Sequence, residues 1–318
     1  MEQKYFLLQN GVKIPAIGYG TGIAKGISKH PIVIAKRFVK ETAKNILIPG
    51  FKEQNKYPLR MDLRKDRMLK RVSKAALEEG YRLFDTARAY QYSESYIGEN
   101  LFGGEYSRED IFVITKATNE AQRNRAVREE LEISLRQLGT DYVDLYLLHW
   151  PQTGTYLEAW KVMEEIYAGG KAKAIGMCNC HIHHLEELEK TAEIIPMVNE
   201  LECHPLLQQH EVRNYCQEKR IQVIAHTPTG KMNVKIRESE KMKRIAQTHG
   251  VSVSQAVLRW HYQLGDVSIP NTVNLRHMKE NIAIWNFVLS DLEMAEIASL
   301  DCAERIWPNP DTADFMKL

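Results

Sequence analysis

The 318-residue sequence predicts an α/β fold, a (β/α)8 TIM barrel, and three observations carry that expectation. Short apolar runs alternate with amphipathic stretches from residue 67 to about 282, the pattern of parallel strands joined by helical crossovers. No linker rich in Pro, Gly or Ser interrupts the alternation, which argues for one barrel domain over residues 1–318. An open doubly wound sheet would carry GxGxxG after its first strand, and the early glycines of AIGYGTG are not followed by a helix at the right spacing.

The first barrel strand reads as IGYGT, and residues 22–66 then break the pattern as an insertion. That segment holds eleven Lys or Arg against four Asp or Glu. Pro31 can start a helix in which Ile34, Phe38, Val39 and Ile46 share a face ringed by Lys36, Arg37, Lys40 and Lys44. Leaving the first strand, the insertion is expected on the carboxyl-end face as a basic lid that attracts an anionic substrate; a surface for a homo-oligomer is the other reading. Further strands follow: RLFD to Asp85, IFVITK to Lys116, VDLYLLH to His149, AKAIGMCN to Asn179, MVNELE around Glu200 and IQVIAH to His226. The clearest helix spans residues 122–138, where Val127, Leu131, Leu135 and Leu138 form one stripe and Gly139 stops it. Residues 157–168 and 208–218 read likewise. Gly250 ends a helix, and capping boxes begin two more, Ser252 with Gln255 and Ser290 with Glu293.

Composition narrows the function classes. With 44% hydrophobic and 26% charged residues the chain can bury a core, and its net charge of +2 suggests no nucleic-acid partner. The start MEQKYFLLQNG lacks an apolar run after a basic patch, and no stretch reaches the roughly 18 apolar residues of a membrane span. Five cysteines, none in a CxxC pair, suit a reducing compartment, so a cytoplasmic location is expected.

Three strands stop on ionisable residues, Asp85, Lys116 and His149, on the face where such barrels hold their active sites. Any one could be a polar residue leaving the core. A lysine at a buried strand end needs a carboxylate, however, and Asp85 is placed to supply it, with Tyr90 five residues on as a group the pair could perturb.

The segment DTARAYQYSESYIG resembles the aldo-keto reductase signature: Asp-Thr-Ala, then the active tyrosine, then a Ser-Glu pair before glycine. Lys116 in VITKA, His149 in LLHWP, Asn179 in IGMCN, the ELECHP segment, and Pro270 with Glu280 and Asn281 in IPNTVNLRHMKEN match in order, over residues 5–21 and 67–301. The resemblance implies an NAD(P)H-dependent oxidoreductase that reduces an aldehyde or ketone to an alcohol, an anionic or sugar-derived carbonyl being one class of substrate. It implies Tyr90 as general acid, Lys116 as the cation that eases loss of its proton, Asp85 as the partner of Lys116, and His149 as the group orienting the carbonyl. Tyr92 falls at a variable place in the signature and is read as packing or solvent-facing.

The resemblance also implies cofactor contacts, several altered here. The family's Ser-Asn pair is Cys178 and Asn179, its glutamine is Glu200, and the aromatic that stacks on the nicotinamide is His226. A lysine and an arginine that clamp a 2′-phosphate correspond to Asn271 and His277, with Thr272 for a serine and Arg276 next to the site. NADPH is therefore the expected cofactor, with discrimination relaxed towards NADH. The tryptophan common after the first-strand threonine is Gly22, leaving room that the insertion could fill, and Trp150 is read as lining the substrate pocket. Trp160 and Trp260 are read as core. Cys178, Cys180, His181, His183 and His184, with Cys203 and His204 downstream, fit no standard zinc spacing, so no metal is expected. The alternative function is a binding or regulatory protein on the same barrel, like potassium-channel beta subunits, keeping cofactor without efficient turnover.

Overall fold

The computed structural model describes residues 3–22, 63–90, 93–102 and 104–316. The inserted helix expected from Pro31, its surrounding cations and Tyr92 lie outside the described residues.

An antiparallel hairpin comes first, β1 (Tyr5–Leu7) and β2 (Lys13–Pro15). Eight parallel strands follow: β3 (Tyr19–Gly20), β4 (Leu83–Asp85), β5 (Phe112–Ala117), β6 (Leu145–Leu148), β7 (Ile175–Cys178), β8 (Val198–Glu202), β9 (Gln222–His226) and β10 (Val267–Ile269). Each bonds to the next in chain order, as βαβ crossovers demand. The ends meet as well: Gly18 N donates to Ser268 O at 2.8 Å and Ser268 N to Ala16 O at 3.1 Å, which closes the expected barrel. Strands β5 and β6 are buried at every residue, because side chains point either into the barrel or under the helices.

The hairpin plugs the amino-end mouth. Gln9 Nε2 donates to Ile195 O and Pro196 O just before β8, and Asn10 Nδ2 donates to Lys173 O just before β7. With Ile14 fully buried behind these contacts, that end is sealed and chemistry is left to the carboxyl end.

Helix α1 (Leu63–Glu78) starts inside the segment 22–66 that sequence assigns to the insertion. Its charged start reads as loop composition, yet straight-chain charged residues are good helix formers. Helix α2 (Ser93–Leu101) follows the turn that carries Tyr90. The single helix expected over 122–138 is two: α3 (Asn119–Arg123) and α4 (Val127–Leu138). Arg125 sits at φ 55°, a left-handed residue that cannot continue a helix. Glu130 of α4 reaches back to accept from Thr118 N at 2.7 Å, fixing the break. The predicted stripe Val127, Leu131, Leu135 and Leu138 is buried, and Gly139 ends α4 at φ 65°.

The remaining helices are α5 (Tyr156–Ala168), α6 (Ile182–Glu189), α7 (His210–Glu218), α8 (Val234–Arg237), α9 (Glu240–His249), α10 (Val253–Gln263), α11 (Leu275–Ile282) and α12 (Asp291–Ala298). Both expected capping boxes form, at Ser252 with Gln255 and at Ser290 with Glu293. Trp160 and Trp260 are core residues, each 1% exposed. Among the described residues no helix is long and apolar enough to cross a membrane.

Candidate active site

Lys116, next to last in β5, has its side chain inside the barrel and is fully buried. A charge there is tolerable only if paired. Its Nζ makes a close ion pair with Asp85 Oδ2 from the end of β4, donates to Thr86 O at 3.0 Å and lies 3.4 Å from Glu200 Oε1 of β8. Burial alone would lower the lysine pKa; Asp85 and then Glu200 override it and hold the ammonium well above its ordinary value.

Tyr90 lies 5.4 Å, ring centre to Nζ, from this ammonium. It sits on a 3₁₀ turn, Arg88–Tyr90, that leaves β4. Several contacts fix the turn. Thr21 Oγ1 donates to Asp85 O at 2.7 Å, Thr86 N donates to Ile114 O at 2.9 Å, and buried Arg88 faces Glu94, which accepts from Thr115 Oγ1 at 2.6 Å. At Gly22 an added Cβ would meet Tyr90 Cε2 and Cζ at 3.1 Å. The position expected to leave room in the pocket therefore lies close beside the tyrosine ring, and a side chain there would require the ring to give by a few tenths of an ångström.

His149 follows β6, and its ring stands edge-on to Tyr90 with centroids 5.7 Å apart. Burial, then the nearby charge of Lys116, depress its pKa to about 3, so the imidazole is neutral at physiological pH. The Tyr90 hydroxyl is pushed up by burial, and Lys116 is the main group pulling it back. A neutral imidazole and a phenol with a cation behind it thus face one space.

The ends of β7, β8 and β9 make the opposite wall with Cys178, Asn179, Glu200 and His226. Asn179 takes a left-handed φ of 58° that turns the chain at the strand end. Its Nδ2 donates to His149 O at 3.1 Å, which leaves Oδ1 to accept from His226 Nε2 at 3.0 Å. Burial first, and Lys116 among the opposing charges, hold His226 at a pKa of about 3, so it is the neutral tautomer with its proton on Nε2. Its Nδ1 faces Thr227 Oγ1 at 3.3 Å, which accepts from Trp307 Nε1 at 2.8 Å. A line of hydrogen bonds therefore runs from the carboxyl-terminal tail to the backbone of His149.

The remaining expected cofactor residues form a separate group after β10. Asn271 and His277 are exposed, Thr272 is half-buried and Asn281 is buried. Asn274 caps α11 by accepting from Arg276 N at 2.9 Å and His277 N at 3.4 Å. Arg276 pairs with Glu280 at 2.9 Å, so these two expected contacts bind each other. Trp150 is buried, edge-on to Phe315 at 6.1 Å.

Glu202, which sequence reasoning missed, holds the tail in place. Buried on β8, it accepts from His204 Nε2 at 3.0 Å, Ile306 N at 2.7 Å and Trp307 N at 3.1 Å. No local spacing signals bonds between residues 104 and 105 positions apart. Of the cysteines and histidines with no zinc spacing, Cys178, Cys180 and Cys203 are buried, while the histidines gather around Asp311: His181 pairs with it at 2.8 Å, His183 at 3.5 Å, and the His183 and His184 rings lie 3.9 Å apart, their ligand atoms and that carboxylate within 4.8 Å of one another.

The aldo/keto reductase family model matches residues 62–301. Glyoxal reductase of Bacillus subtilis (strain 168) is 42% identical over 242 residues, covering 76% of this chain and 87% of its own. Methylglyoxal reductase DkgA of Salmonella typhimurium is 39% identical over 238 residues, 74% of this chain and 86% of its own. Among solved structures, an aldo-keto reductase of the silkworm Bombyx mori complexed with NADPH superposes with a TM-score of 0.78 at 30% identity, over 96% of this chain and 89% of that one.

Proposed function

Since the chain belongs to the aldo/keto reductase family, we propose that it reduces small aldehydes and ketones, α-dicarbonyls such as glyoxal foremost, using NADPH, with Tyr90 as proton donor. The observation that carries this reading is the buried Asp85–Lys116 pair set against the Tyr90 ring, facing neutral His149.

The wall opposite Tyr90 fits a nicotinamide. It offers Asn179, the neutral imidazole of His226 and a buried Glu200 oxygen, Oε2, that has no hydrogen-bond partner among the described residues. When bound, the nicotinamide supplies the hydride. His149 and Tyr90 hold the carbonyl oxygen, and as negative charge gathers there the Tyr90 hydroxyl gives up its proton. Lys116 stabilises the phenolate left behind, and Asp85 keeps Lys116 charged and in place. Asn271, Thr272, Arg276, His277, Glu280 and Asn281 would hold the adenosine end, with Cys178 beside Asn179 and Trp150 at the substrate side.

The test is loss of nicotinamide absorbance at 340 nm with glyoxal, methylglyoxal and simple aldehydes, for the wild type and Tyr90→Phe. Turnover by the wild type, with Tyr90→Phe nearly inactive yet binding NADPH within a few fold, is expected. An inactive wild type that still binds NADPH would favour the regulatory reading, and an active Tyr90→Phe would move the acid elsewhere.

A further inference from the structure

Strand β8 brings into the cluster a group the reduction above does not require. An amide at position 200 would present a donor and an acceptor without charge, whereas the Glu200 carboxyl carries a proton that can leave. Glu200 is 3% exposed; Oε1 lies 3.4 Å from Lys116 Nζ, and Oε2 is the unpartnered oxygen of the opposite wall. The groups acting on it come from each neighbouring element. β4 supplies Asp85, β5 supplies Lys116, the turn after β4 supplies Tyr90, and β7 supplies Cys178, a thiol that burial keeps protonated. From β9, Ile224 faces Glu200 in register and neutral His226 lies beyond it, while His149 after β6 is neutral too. One ammonium thus serves two carboxyls, and the buried set reaches neutrality only when one of them keeps a proton.

Resting on the proposed reductase reading, we infer that Glu200 is a proton-exchange partner of the cofactor: it keeps its proton beside the reduced, neutral nicotinamide and releases it to solvent when the oxidised, cationic nicotinamide binds. The nicotinamide would be held by the proposed wall of Asn179 and His226, and Glu200, in register with Cys178 of β7, belongs to that wall. The step is an O–H heterolysis in which the proton goes to buffer and the electron pair stays on the carboxylate, now paired with the ring cation. Burial, then repulsion from Asp85, already push the Glu200 carboxyl up to about 8 against the pull of Lys116, so without an added cation it is protonated at neutral pH. A cationic ring lowers that value, and by linkage the oxidised cofactor must bind more tightly as pH rises through the interval between the two values.

Calorimetric titration of the full chain with NADP+ and with NADPH, in phosphate and in Tris at pH 7.2, counts the protons exchanged. NADP+ binding should release most of one proton and NADPH almost none. The ratio Kd(NADPH)/Kd(NADP+) should rise about tenfold from pH 6.5 to 8.5, the 2′-phosphate common to both nucleotides cancelling. Glu200→Gln should abolish both effects. Equal proton release by the two nucleotides in the wild type overturns the inference without needing the variant. So does undiminished release in Glu200→Gln, which would assign the proton to Tyr90 or Lys116. If both nucleotides bind and the ratio is flat, the inference alone falls; if neither binds, the reductase reading falls with it.

Discussion

Lys116 has two functions that a single substitution confounds, because it pairs with the buried carboxyls of Asp85 and Glu200 and also lowers the cost of a Tyr90 phenolate. Lys116→Met should destabilise the fold by roughly 3–5 kcal/mol, since it leaves a buried carboxylate unpaired. Pairing it with Asp85→Asn should recover much of that in urea unfolding while turnover stays lost. Without Lys116 the Tyr90 pKa rises further, so the pH at which any residual alcohol oxidation begins should move upward, and an unmoved onset would detach the lysine from the tyrosine. That Asp85, Tyr90, Lys116 and His149 gather in one buried cluster was legible because consecutive strands end near Asp, Lys and His and the motif around Tyr90 is specific. Gly22 was legible as a departure, but its close approach to Tyr90 was not, because contact across residues 22 and 90 depends on how two strand ends are aimed.

At the scale of elements, α11 bears on cofactor choice. The backbone N–H groups of its first turn are capped by Asn274, and Arg276, a cation beside the expected phosphate site, is tied to Glu280. Each charge-assisted phosphate contact contributes roughly 1.5–3 kcal/mol, and Asn271 and His277 bring no fixed charge. Dissociation constants measured for NADPH and NADH should therefore differ by less than about a thousandfold, some 4 kcal/mol. Arg276→Ala should narrow the gap further; a wider gap in the wild type would mean the phosphate is clamped by other residues. Periodicity located the elements well where it was long, as in the stripe of α4. It failed at the break between α3 and α4, where a left-handed Arg125 and a reaching Glu130 decide the boundary, and neither leaves a mark on the hydrophobic pattern.

For the whole molecule, the plugged amino end and the closed sheet leave the carboxyl-end face as the route for ligands, and the tail that borders it is pinned through Glu202. Burial alone would raise that carboxyl; hydrogen bonds from His204, Ile306 N and Trp307 N override it and hold it below the ordinary glutamate range. A depressed folded-state pKa contributes stability that is present above the unfolded value of about 4.3 and is lost as pH falls through the folded one. Glu202→Gln should cost about 1–3 kcal/mol in urea unfolding at pH 7, and less as the pH falls below 4, with Trp307 fluorescence reporting release of the tail. An unchanged Trp307 signal would show the tail held by other contacts. The same anchor limits what a protein engineer can exchange. A chimera that grafts a relative's carboxyl-terminal segment onto this barrel inherits a buried anion on β8. Unless the graft presents two free backbone N–H groups in the register of residues 306 and 307, that anion will seek water, and it will open the wall that His226 and Asn179 share with it.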